Sequence, residues 1–203
     1  MSSAPISHAL REAAPTLAGW LRDTTQAGLR SSADRSAPWR GLGAGLAGGF
    51  AGVVAMTILQ TGLGRAQRAL ARARGGEAAS GGQDDAESAT ALAAERMSRP
   101  IVRRPLNRRE RRIGGSLVHL GFGTAMGGLY GLAAEEVPAT TAGRGAAFGA
   151  ALMVAADEIL VPALHLAPGP RRTPLRRHAS ALAAHLVYGL VVDAVRVRVR
   201  ARI

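Results

Sequence analysis

Residues 148–166, FGAALMVAADEILVPALHL, set two adjacent acids, Asp157 and Glu158, inside an apolar run and follow them with Pro162 and His165. Carboxylates and imidazoles are the side chains that exchange protons near neutral pH. Other polar groups also interrupt apolar stretches. His119 lies in one, and His185 and Tyr188 lie in another, three residues apart and so on one helix face. Glu158 and His165 are seven apart, as are His178 and His185. An ionised carboxylate at the centre of a bilayer costs about 2.5–3.5 kcal/mol on insertion scales, so it must be protonated, paired or wetted. The expectation is that Asp157 or Glu158 pairs with His185 or His119. Such a pair would fix helix register, carry protons or ions, or bind a metal. The register role is preferred. The chain has no cysteine and no HExxH motif, so no metal site, cofactor or catalytic residue is assigned.

Other signals are set aside. Gly43, Gly45 and Gly48 match GxGxxG formally, but no strand precedes them and no βαβ unit follows. Lysine is absent, which removes the phosphate-loop motif, and there is no nucleophile elbow. The arginine run at 103–112 has no interleaved aromatics and runs straight into an apolar stretch. Contact with anionic lipid headgroups through Arg103, Arg104, Arg108, Arg109, Arg111 and Arg112 is therefore preferred to nucleic acid, which is not expected as a partner.

The elements that must position these groups read as membrane helices. Aromatics are 3% of the chain while glycine numbers 26, a composition suited to close helix contact in lipid rather than to a water-soluble core. Residues 1–40 are polar, with Leu10, Leu17, Trp20, Leu21 and Leu29 at roughly helical spacing, as in an interfacial helix. No secretory signal is expected there. Residues 41–64 carry no charge over 24 positions. At helical rise they reach about 36 Å, enough for a hydrocarbon core of about 30 Å, as a span or a re-entrant helix. Residues 65–113 form an arginine-rich polar loop with a short surface helix near 84–98. Residues 114–195 hold three further apolar runs, the last only 17 residues long and containing Asp193. Residues 196–203 alternate Arg and Val and read as a frayed basic tail. The fold class is thus all-α, an integral membrane bundle of three or four spans. Its glycines recur four apart at Gly45 and Gly49, at Gly123, Gly127 and Gly131, and at Gly145 and Gly149. They predict close packing within the bundle, with a homo-oligomer face as the other use.

The order of LVHLGFGTAMGGLYGLAAE, GRGAAFGAALMVAADEILVPALHL and PLRRHASALAAHLVYGLVVDAVR resembles the YagU-like family of bacterial inner-membrane proteins, a domain of unknown function. ADE at 156–158 and HLVYG at 185–189 carry most of the likeness. The resemblance covers roughly the last 90 residues, and 41–64 more loosely. It implies a helical inner-membrane protein and brings no activity. The arginine-rich first loop and tail have no counterpart in it.

Arginine distribution sets an expected topology. Of the 26 arginines, 12 fall in 65–113 and 4 in 167–178, against 5 before Gly41, 1 in 135–144 and 4 after Val195. Basic loops stay cytoplasmic, so 65–113 and 167–178 are expected inside and 135–144 outside. The basic tail then falls outside, which the rule disfavours. The functional expectation is a small structural or accessory inner-membrane protein, with no reaction assigned. The alternative is a translocator of protons, ions or a small solute that uses the acid–histidine cluster.

Overall fold

The computed structural model describes residues 38–75, 83–167, 169, 171 and 173–203. The interfacial helix expected within 1–40 lies almost wholly outside the described residues, which begin at Pro38. The architecture is all-helical. α1 spans Pro38–Ala73, α2 Gln83–Val102 and α3 Arg108–Glu136. A 3₁₀ connection, Pro138–Gly145, leads into α4. That helix starts as Ala146–Met153, widens into a π-helical stretch over Val154–Leu160 and closes with one α turn at Val161–Ala163. α5 runs Leu175–Arg200. Four of these helices, α1, α3, α4 and α5, are long and apolar enough to cross a membrane.

Two boundaries differ from the sequence reading for physical reasons. α1 is continuous over 36 residues, without the break a re-entrant segment needs, and carries on through the polar RAQRALARA. Alanine and arginine are strong helix formers, and nothing in that stretch stops the helix. At the other end of the chain, α5 does not fray at Val195 but continues to Arg200. The Arg/Val alternation that suggests a strand is overridden because Arg196 is buried against Asp193 one turn back. At 26 residues α5 reaches about 39 Å, so it is not too short to span.

The start of α3 is a capping box. Asn107 accepts from the Glu110 amide at 2.9 Å, and Glu110 accepts from the Asn107 amide at 2.8 Å, which satisfies donors that a helix start leaves free.

Glycines set the packing order. On α1, Gly45 and Gly49 sit against the backbone of Gly127, Gly131, Gly123 and Thr124 of α3. Gly48 and Gly52, on the adjoining face, sit against Val192 and Tyr188 of α5. α1 is thus wedged against two helices, antiparallel to both. Gly145 and Gly149 lie against the Gly189 and His185 backbone of α5, so α4 packs mainly on α5. α2 lies along the first half of α3, where Ala91 and Ala94 meet Gly115 and Gly114. A core of Val53, Met56, Tyr130, Leu152, Ala156, Ala184, Tyr188 and Val192 fills the centre.

Candidate functional site

The two acids of α4 face α5 from a π-helical stretch. A π turn takes more residues than an α turn, so chain neighbours lie closer in angle, and adjacent side chains can address one partner helix. Glu158 Oε1 lies 2.6 Å from His178 Nδ1. Asp157 Oδ2 lies 3.8 Å from His185 Nδ1, with the Asp157 side chain 42% exposed and that of His185 8% exposed. His185 Nδ1 also lies 3.0 Å from the Ala181 carbonyl oxygen. A carbonyl only accepts, so Nδ1 carries the proton. His178 and His185 are two turns apart on α5, and each meets one acid.

Each residue singled out in the sequence has a definite place. His185 is beside Asp157, whereas Glu158 is joined to His178 and not to His185 or His119. His119, on α3, is half-buried. Tyr188 is buried and donates its hydroxyl to the Gly123 carbonyl at 2.6 Å, joining α5 to α3. His165 does not share a face with Glu158. The π stretch changes the register, and His165 sits past the helix end in a left-handed conformation, φ 54°. Gly45, Gly49, Gly123, Gly127, Gly131, Gly145 and Gly149 lie at the contacts between α1 and α3 and between α4 and α5.

A second polar centre was not foreseen. Asp193 Oδ1 accepts from the Tyr130 hydroxyl at 2.8 Å and from Arg196 Nη2 at 2.8 Å and Nε at 3.2 Å. All three residues are buried, and the Arg196 guanidinium lies 5.6 Å from the centre of the Tyr130 ring. Phe148 of α4 stacks on the same ring at 4.6 Å. Nearby, Arg200 donates to Glu135 at 2.8 and 3.2 Å. The signal that could have found this centre is the Asp193–Arg196 spacing of three, which puts acid and base on one helix face.

At the opposite end, arginines divide into engaged and free. Arg104 pairs with Glu110 at 2.6 Å, and Arg111 pairs with Glu95 at 3.1 Å. The carboxylate beside Arg104 holds its guanidinium above the ordinary arginine pKa. Arg96 of α2 donates to the Leu164 and His165 carbonyls, which the end of α4 leaves without helical donors. No buried side-chain nitrogen or oxygen among the described residues lacks a hydrogen-bond partner.

A packed all-helical chain with four helices fit to span a bilayer, joined by internal acid–base pairs, has the features of a multi-pass membrane protein. Residues 105–194, from just before α3 to near the end of α5, match the model of a family described as a protein of unknown function (DUF1440). α1 and α2 lie outside the match. No curated protein and no solved structure gives a match.

Proposed function

We propose that this chain is a structural or accessory protein of the bacterial inner membrane, related to the YagU-like proteins, and that its acid–histidine pairs lie within the bilayer and hold α4 on α5. The observation that carries this reading is the meeting of Glu158 with His178 at 2.6 Å, with Asp157 and His185 one step deeper. α4 packs mainly on one neighbour, so pairs of this kind fix its rotation and depth. In lipid there is no hydrophobic drive to do so. The glycine contacts supply close approach, and the pairs supply register. The arginine-rich end, with α2 and the connection from α4 to α5, faces the cytoplasm and anionic headgroups. Arg103, Arg104, Arg108, Arg109, Arg111 and Arg112 contribute there.

The half-exposed Asp157 side chain favours one second reading, in which the pairs relay protons. Two measurements separate the two. His178→Leu with His185→Leu should lower the unfolding midpoint in detergent under the structural reading. Proteoliposomes carrying wild type or Glu158→Gln should show the same background proton leak. A proton flux that depends on Glu158 would replace the structural reading with the relay, and an unchanged unfolding midpoint would remove the register role.

A further inference from the structure

Toward its start, α3 leaves large side chains uncovered: Leu117 is 63% exposed, and Ser116 beside it is exposed too. On α3, Ser116 and Leu120 fall seven residues before Gly123 and Gly127, on the side that α1 covers two turns later. Here Arg112, Ile113, Ser116, Leu117 and Leu120 line an open groove of about 210 Å³. Arg109 continues the same face one turn toward the helix start.

The groove is cationic at its mouth and apolar along its wall. Arg109 and Arg112 are exposed, and their guanidinium groups have no hydrogen bond or ion pair among the described residues, unlike Arg104 and Arg111, which Glu110 and Glu95 occupy. The Ser116 hydroxyl donates to the Arg112 carbonyl at 3.0 Å, so the head of any occupant is left to the two guanidinium groups. Planar guanidinium forks match phosphate oxygens. From Arg112 to Leu120 is about 12 Å along the helix, and of the lining residues below Arg112 only Ser116 is polar. A soluble polyanion would use the arginines but has no use for the wall below them.

We propose that this groove seats an anionic phospholipid, with its phosphate between Arg109 and Arg112 and one acyl chain along Ile113, Leu117 and Leu120. The proposal rests on α3 crossing a bilayer and deepens the headgroup contact by singling out the two arginines that do the binding.

The test is native mass spectrometry of the detergent-purified full chain titrated with phosphatidylglycerol or with phosphatidylcholine of the same acyl chains. Wild type should bind phosphatidylglycerol more tightly. Arg109→Gln with Arg112→Gln should weaken that binding by about 30-fold, from about 1 kcal/mol for each lost charge. Arg104→Gln with Arg111→Gln should change it by less than about twofold. Leu117→Trp keeps every charge but fills the groove. It should weaken binding too, and it decides the matter if the double arginine variant does not fold. Equal binding of the two lipids, equal losses from both arginine pairs, or no effect of Leu117→Trp would overturn the proposal. Displacement of phosphatidylglycerol by an oligonucleotide of similar charge would reassign the arginines to a soluble polyanion. The histidine variants report on the register role separately, so either idea can fail alone.

Discussion

The sharpest prediction concerns three glycines of a single helix. Gly49→Ala in α1 adds one methyl group where backbone, not flexible side chain, stands in the way. The new Cβ would sit 2.8 Å from the Gly123 and Thr124 carbonyl oxygens and 2.9 Å from Thr124 Cα, while ordinary contact begins at 3.4 Å. α1 and α3 must therefore separate by about 0.6 Å at Gly49. Overpacking of this sort costs about 1–3 kcal/mol. Gly43→Ala and Gly62→Ala add the same methyl group to the same helix with nothing within 4 Å. There the only effect is the gain in helix propensity, about 0.5–1 kcal/mol in favour of alanine. Gly49→Ala has the same propensity gain, so that contribution cancels, and the predicted spread is about 1–3 kcal/mol with Gly49→Ala the less stable. Unfolding by increasing mole fraction of denaturing detergent, followed by circular dichroism, reads it directly. If Gly49→Ala proves as stable as Gly62→Ala, the crossing of α1 and α3 is not backbone-on-backbone, and the packing order built on it is wrong.

Two further outcomes follow from the polar centres. Asp193→Leu should destabilise the fold by about 3–5 kcal/mol, because it leaves Arg196 buried without its counter-ion, and adding Arg196→Met should recover much of that loss in the same unfolding assay. A double variant no better than Asp193→Leu would mean the ion pair is not what the site requires. Arg96→Met should leave global unfolding nearly unchanged but speed amide hydrogen exchange over 164–166, since the α4 terminus loses a tie to α2. Unchanged exchange there would place the Arg96 side chain elsewhere.

Much of the fold was legible because lipid imposes a simple rule on sequence. Apolar runs stand out at 41–64 and through 114–195, and four helices long and apolar enough to cross the hydrocarbon occupy those places. Helix ends were harder to see. The far end of α1 is polar yet helical, and the basic tail looks strand-like until Arg196 is seen turning inward against Asp193. The polar groups show the same limit. That Asp157 and Glu158 sit among apolar residues is plain from the sequence, but which histidine each one meets depends on the π-helical widening at Val154–Leu160, and periodicity assumes a regular helix. Tyr130, from a different helix than Asp193 and 63 positions away, could not be joined to it by spacing alone.

The Asp193–Arg196 bond bears on how the chain is threaded into its membrane. In the orientation proposed above, the end of α5 must be exported, although it carries four arginines, Arg196, Arg198, Arg200 and Arg202. Export is opposed by unaccompanied positive charge. Arg196 travels with a carboxylate one turn behind it on the same helix, a partnership that needs no tertiary structure and so exists from the moment α5 coils. Arg200 finds Glu135 only once α3 stands alongside. The early pair eases passage and the late one locks the exported end in place, so removing Asp193 would burden biogenesis before it weakened the finished bundle.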